Sequence, residues 1–532
     1  MKPESSPRHR LFIRKPVEQV QREVTAHALK RTLGPLSLIT IGIGCTIGAG
    51  IYVLTGAAAA NFAGPAVLLS FVLAGFACAF AGLCYAELAS TLPVAGSAYT
   101  YSYTTLGEVF AWITGWLMVL ELGIAAALVA VGFSGYVTSL LQDFGIDVPA
   151  VVSTAFVEAS AGANGLVFAA GQQFNLIAAA GILAVTVPLA LGISESAAVN
   201  SVLVIVKLTV LLAFVAVGVW WVEPANWTPF VPPNEGGFTY GWPGIFRAAA
   251  VIFFAYVGFE TVATTAAEAK NPQRDLPIGI LGTLGLCTLI YIAVAAVLTG
   301  VVSFKQLGVP DPLAVAVNVM DLPGFGLFIK VGAILGLGSV MLMSLYGQTR
   351  VFYTMSRDGL LPPLFSTVHP RFSTPFAGTI VLGAIIALVA AFLPITLLAD
   401  LVSLGVAIAF AVVSLSVMWL RTTRPQLTRP FRVPFGGMWI GRIWIGVVPV
   451  LGILFSLLMV LPLILDITGK ALAGNPIPAI LLSGYIGVGA AIYAFYGLRH
   501  SKLAKAASTV ELQHQEASPL VAHSSINPVD RP

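Results

Sequence analysis

Twelve long apolar runs, at roughly 36–59, 66–91, 107–140, 174–193, 199–221, 243–268, 278–303, 326–356, 376–394, 397–420, 444–468 and 478–498, dominate this sequence. A bilayer-spanning helix needs about 20 mostly apolar residues, so each run is a candidate span. The longest exceed the hydrocarbon core and are expected to tilt or to extend past it. Helix is the state open to them: a lipid-facing backbone must satisfy its own polar groups, and no run alternates with period two as a barrel strand would. Composition agrees, since 58% of residues are apolar and only 9% charged, against roughly a quarter charged in an ordinary globular domain. Soluble enzymes, nucleic-acid binders and disulfide scaffolds are excluded on these grounds. A net charge of +4 is too small to argue for a nucleic-acid partner. The boundary most open to a second reading is 376–420, where Pro394 and Asp400 separate two runs that also read as one interrupted span.

The placement of Lys and Arg tests the count. With twelve spans, one side of the membrane collects eight positive residues before residue 36 and Lys270 and Arg274 after span 6. To these it adds Arg350, Arg357 and Arg371 around the loop after span 8, five arginines after span 10 and four positives after span 12, or 22 of 27. The segment 141–173, on the opposite side, has no Lys or Arg at all. By the positive-inside rule both termini are expected in the cytoplasm, which makes the chain a multi-pass protein of the cytoplasmic membrane. The basic tail 1–35 is too polar for a signal-peptide core. Val17, Val20, Val24 and Ala28 recur at helical spacing within it, so it reads either as a short amphipathic helix on the inner leaflet or as a disordered tail. Residues 499–532 read as a disordered cytoplasmic tail. All four cysteines fall inside spans and read as small packing residues, neither disulfides nor metal ligands.

Internal repetition organises the spans. Spans 1–5 occupy 36–221 and spans 6–10 occupy 243–420, two stretches of nearly equal length, with spans 11 and 12 at 444–498. Five is odd, so the two repeats must lie in the membrane with opposite orientation. Each opens with a span that invites a break: Gly42 to Gly50 (GIGCTIGAG) in the first and Phe253 to Glu260 (FFAYVGFE) in the second. Interrupted helices at matching positions of inverted repeats point to a transporter's binding site. Span 1 runs outward, so its second half begins near Gly48 with unpaired amides and a positive dipole end, suited to a carboxylate. Span 6 runs inward, so its first half ends near Phe254 to Val257 with unpaired carbonyls, suited to an ammonium. Together they describe the head group of an α-amino acid. The competing reading is that these glycines serve helix packing.

Ionisable residues at membrane depth are costly and mark function. Lys207 lies eight residues into span 5, Glu121 near the middle of span 3, and Glu260 directly after the span 6 break. They are expected to compensate one another or to relay a proton; the alternative is a static buried ion pair. Glu87, Glu108 and Glu268 read as solvated at the interface, and Arg247 and Lys330 as snorkelling from span ends.

The run Gly42 to Gly56 (GIGCTIGAGIYVLTG) resembles the first-helix motif of the amino acid–polyamine–organocation superfamily. Phe253 to Pro277, Thr349 to Pro362 and Tyr85 to Tyr103 resemble the bacterial cationic amino acid transporter family within it. The resemblance covers roughly residues 30–500 and implies an all-α integral membrane fold. In that fold the twelve transmembrane helices form a LeuT-type five-plus-five inverted repeat, with discontinuous helices 1 and 6, plus two additional helices. It implies that amides at Thr46, Ala49 and Gly50 bind a substrate carboxylate and that carbonyls of Phe254, Ala255 and Val257 bind the amino group. It implies that Lys207 takes the position of a sodium ion in sodium-coupled relatives, hence proton coupling, and that Glu121 faces the pocket. Glu260 departs from the family's usual Asp by one methylene.

The expected activity is an amino acid permease working by alternating access, as a proton symporter, with cationic amino acids among the candidate cargoes. It would be no enzyme and need no cofactor or metal; its partners would be the amino acid, the proton and membrane lipid. The rivals are an uncoupled amino acid or amine exchanger and an amino acid sensor that binds without transporting.

Overall fold

The computed structural model describes residues 12–16, 32–92, 97–162, 165–192 and 197–506. The amphipathic segment expected over 17–28 and the tail beyond 506 lie outside these residues. Every one of the apolar runs falls on helix. Among the described residues nine helical stretches are long and apolar enough to cross a membrane, and three further apolar helices are shorter. The chain is a mostly helical, multi-pass membrane protein.

In chain order the principal helices are α1 (Pro35–Thr46), α2 (Val67–Thr91), α3 (Ser97–Thr105), α4 (Glu108–Asp143), α5 (Leu176–Ala190), α6 (Ala197–Gly218) and α7 (Gly241–Ile252). They continue as α8 (Pro272–Val301), α9 (Pro312–Val319), α10 (Pro323–Arg357), α11 (Phe376–Phe392), α12 (Ile395–Thr423), α13 (Val447–Leu472) and α14 (Ile477–Ile492). Sequence dictates their ends. Pro35, Pro272, Pro312 and Pro323 each start a helix, where a missing N–H costs nothing. Between α1 and α2 the chain is almost continuously helical, but at Gly64 it takes φ +60° and ψ −146°, which only glycine adopts readily, and changes direction. The run at 376–420 resolves as two helices, with Leu393 and Pro394 extended between them.

Two antiparallel hairpins were not expected. β1 (Val157–Gly162) and β2 (Gly165–Ala170) lie in the segment that lacks basic residues, and β3 (Gly437–Ile440) and β4 (Ile443–Gly446) lie between α12 and α13. Helical structure also continues through Ala506, past the point where the tail was expected to begin, and Ser501 is buried against Glu108.

The core is contiguous through the bundle, and its centre is filled by α2, α4, α7, α8, α10 and α12. α14 packs least, with Ile480, Ile486 and Phe495 exposed, as befits a helix facing lipid. All four cysteines are free thiols. The first and last described segments, 12–16 and 501–506, lie at one end of the bundle, both against Glu108. There Lys15 N–H donates to the Tyr103 carbonyl, Arg14 covers the Trp419 ring, and the backbone of Thr32 and Leu33 bonds to Glu268.

Candidate functional site

α1 ends at Thr46 because Ile47 swings to ψ 104°, and helical turns resume at Gly50. α7 ends at Ile252, tightens into a 3₁₀ turn over Phe253–Tyr256, and then opens at Val257 (ψ 136°) and Gly258 (φ +121°). The two breaks interlock. A methyl group on Gly50 would come within 2.3 Å of the Ala255 Cα, and one on Gly258 within 2.5 Å of the Cys45 carbonyl carbon. Glycine at both positions is what lets one backbone lie on the other. Tyr291 of α8 joins them, its hydroxyl 2.9 Å from the carbonyl oxygens of both Thr46 and Ala255.

Of the predicted residues, Gly50 thus lies on Ala255 and Thr46 is joined to Ala255 through Tyr291, whereas Gly48 faces Val340 of α10. The amides of Ala49 and Gly50 stand in the first turn of a restarted helix, where no intrahelical acceptor precedes them. The carbonyls opposite are partly engaged: Phe254 accepts from the Val257 N–H at 2.9 Å and Ala255 from Tyr291. Each retains a second lone pair.

Glu260 and Glu121 also come together. Both carboxylate oxygens of Glu260 accept from the Gly258 N–H, at 3.0 and 2.9 Å, so the acid is folded onto the break itself. Its side chain lies within electrostatic reach of Glu121. Glu121 sits in a π-helical turn, Val119–Ile124, a distortion that helices concentrate at functional positions. Thr46 Oγ1, Tyr85 Oη, Tyr101 Oη, Glu121 Oε2 and both amide atoms of Gln348 are buried without a hydrogen-bond partner among the described residues. Buried polar atoms are nearly always satisfied, so these are the atoms with bonding capacity to offer a ligand. Tyr85, Phe259, Phe253 and Phe410 form an aromatic wall beside them, with ring centroids 5.3–5.9 Å apart.

Lys207 lies on the other flank of the first break. It is 3% exposed, and its ammonium donates to the Gly44 carbonyl at 3.0 Å, one turn before the helix ends. Cys45 stands between Lys207 and Glu260, within the electrostatic field of both. The Lys207 stem packs against Gly336 of α10, and its carbonyl accepts from Tyr52.

Four charges were misplaced by sequence reasoning. Arg247 does not snorkel. It is fully buried, with Nη2 2.8–2.9 Å from both oxygens of Asp400 on α12, and with Nε and Nη2 3.0 and 2.8 Å from Asp466 on α13. Lys470 completes the group at 2.8 Å from Asp466. Lys330 is likewise buried and paired with Asp143 at 2.6 Å. At the end bearing the first and last described segments, Glu87 is buried against Arg421 (2.7 Å) and the Val433 N–H, and Glu108 against Tyr103, Tyr493 and Ser501. In each case a neighbouring helix supplied a partner that hydropathy cannot show.

Sequence reasoning missed Gln348 and Tyr291, and gave no role to Tyr85 and Tyr101. The last two stand inside the motif Tyr85 to Tyr103, and Gln348 directly precedes the motif Thr349 to Pro362. Tyr291 offers no such signal, being one of several hydroxyl side chains in its apolar run beside Thr283, Thr288 and Thr299.

A family model described as amino acid permease matches residues 33–493. A methylthioribose transporter of Bacillus subtilis (strain 168) is 42% identical over 497 residues, covering 93% of this chain and 99% of its own. The branched-chain amino acid permease BcaP of the same organism is 42% identical over 477 residues, covering 90% and 95%. A vacuolar cationic amino acid transporter of Arabidopsis thaliana is 37% identical over 401 residues, covering 75% and 65%.

Proposed function

We propose, from the premise that this chain belongs to the amino acid permease family, that it carries L-amino acids across the cytoplasmic membrane by alternating access with proton coupling. As a permease it is a carrier and not an enzyme. The observation that carries the reading is the interlock of the two broken helices. Gly50 lies on Ala255 there, and on this reading the amides at Ala49 and Gly50 and the carbonyls at Phe254, Ala255 and Val257 supply a backbone cradle of opposite polarity for a zwitterion. On this reading the long and short apolar helices together make twelve spans. Those from α1 to α6 and from α7 to α12 form the inverted five-plus-five repeat, α13 and α14 are additional, and both termini are cytoplasmic.

Lys207 supplies the coupling. Its ammonium bonds to the Gly44 carbonyl at the end of the first half-helix, where a fixed positive charge takes the role of a bound metal cation. Release of its proton would free that carbonyl and loosen the break. This links protonation to the geometry of the cradle.

The pairing of Glu121 with Glu260 favours a neutral side chain over a cationic one. Two buried carboxyl groups in electrostatic reach of each other repel when both are ionised, so the pair is expected to present less charge than two free carboxylates. Two of the relatives are named for cargoes other than cationic amino acids, a branched-chain amino acid and methylthioribose.

The test is uptake into proteoliposomes of labelled Leu, Val, Ala, Lys, Arg and methylthioribose under imposed proton or sodium gradients. Uptake of an amino acid driven by an inward proton gradient and indifferent to sodium is expected. Lys207→Ala should reduce it about ten- to a hundred-fold, the value of a charge-assisted hydrogen bond of about 1.5–3 kcal/mol. Sodium-driven uptake, or unaltered proton-driven uptake in that variant, overturns the coupling scheme; uptake of methylthioribose alone overturns the cargo.

A further inference from the structure

We propose that the β3–β4 hairpin is a membrane-docking element, whose tip enters the headgroup layer on the side of the first and last described segments and selects a leaflet rich in anionic phospholipid. The hairpin connects two membrane helices, and β4 passes into α13 without a linking residue, Gly446 being followed by Val447. Its position at the lipid–water boundary follows from that continuity.

Its side chains are wrong for water. Phe435 is 79% exposed, Met438 64%, Trp439 53%, Ile440 57% and Ile443 48%. Successive strand residues point to opposite faces, so Met438, Trp439 and Ile440 make both faces of the tip apolar. A hairpin lying on protein with its other face in solvent would alternate apolar and polar. Apolarity on both faces requires immersion, and an exposed Trp beside aliphatic residues is the composition of membrane–water interfaces.

Charge identifies the leaflet. Residues 421–446 contain five arginines and no acidic residue. Arg442 is at the turn and Arg432 at the approach, both exposed, where basic groups near a bilayer are drawn to anionic lipid. The like charge of Arg432 and Arg442 disfavours a second copy of the hairpin as the occupant.

The base, by contrast, is fixed. Trp444, which pairs with Trp439 in the register, is buried with its ring 4.1 Å below the Arg421 guanidinium, and its N–H donates to Thr422 Oγ1 at 3.0 Å. Arg421 in turn holds Glu87 of α2. Lipid engagement at the tip is therefore wired to the contact that ties α2 to α12.

The full-length protein carrying Ile440→Cys, labelled there with an environment-sensitive fluorophore, tests this in phosphatidylcholine vesicles with and without phosphatidylglycerol. The unsubstituted protein serves as the labelling control for its native cysteines. A blue-shifted emission quenched by spin-labelled lipid is expected, with quenching increased several-fold by phosphatidylglycerol. That increment should be lost at high salt and in Arg432→Gln/Arg442→Gln, whose monodispersity in detergent reports its folding. An unquenched, water-like emission in both vesicles overturns the proposal. So does quenching indifferent to phosphatidylglycerol, or a blue shift that disappears on diluting protein in lipid, which would mark a second copy as the occupant.

Discussion

Two of the buried charged groups in this bundle are built on opposite plans. In one, Arg247 is held by Asp400 and Asp466, and Asp466 also by Lys470, two positive and two negative side chains from three helices. In the other, at the centre, Lys207 bonds to a backbone carbonyl and Glu260 to a backbone amide, with Glu121 in electrostatic reach of Glu260. In the first group the partners are other charges and the sum is neutral. In the second the charges hold the two broken helices, and several polar atoms beside them have no partner among the described residues. The charge-paired group fastens α7 to α12 and α13, with Arg247 Nη1 left without a partner among the described residues. The central one holds more bonding capacity in reserve, which a fastening does not need and a carrier does.

That contrast predicts different consequences of mutation. Arg247→Ala should be the most damaging to stability, because it strips Asp400 of its partner and leaves Asp466 with Lys470 alone, a loss of about 3–5 kcal/mol when a buried ion pair is broken. Thermal unfolding of detergent-purified protein should show a large fall in Tm. A variant with unchanged Tm would mean the outer group is not a fastening.

Tyr291→Phe should act at the central group and be milder. It removes one hydroxyl shared between the Thr46 and Ala255 carbonyls, about 1 kcal/mol, and should weaken substrate affinity several-fold with little change in Tm. Equal loss of affinity and stability would erase the distinction between the two groups.

The smallest effect concerns Asp311, in the connection before α9. Burial pushes its carboxyl up to about 6, opposed by a hydrogen bond with Ser139 and by the Lys330 charge. Tyr136 and the Lys330–Asp143 pair surround it. A carboxyl raised above its unfolded value of 3.8 adds most stability below that value and loses it as pH rises through about 6. Hydrogen exchange in α9 should therefore quicken between pH 4 and 6. Asp311→Asn should flatten that profile and leave the centre unaffected.

The central site was more legible in the sequence than its surroundings. Gly48, Gly50 and Gly258 sit in runs otherwise committed to helix, and such interruptions are visible in one dimension because they break a local rule. Lys207, Glu121 and Glu260 stood out because charge at membrane depth is rare. Arg247, Lys330, Glu87 and Glu108 were misplaced for the converse reason. A charge near the end of an apolar run has two outcomes, solvent or a partner from another helix, and only packing chooses between them. Gln348 and Tyr291 carry no local anomaly strong enough to single them out.

The sequence by itself determined the solvent, the helical state of the apolar runs and the places where helices must break, because each of these depends on residues within a turn or two of one another. The tertiary structure decided which charges meet. It laid Gly50 on Ala255 and Gly258 on Cys45, folded Glu260 back onto the break and beside Glu121, and gave Arg247 its two carboxylates. Those choices depend on helices far apart in the chain reaching hydrogen-bond distance, and on the cost of leaving a buried charge without a partner.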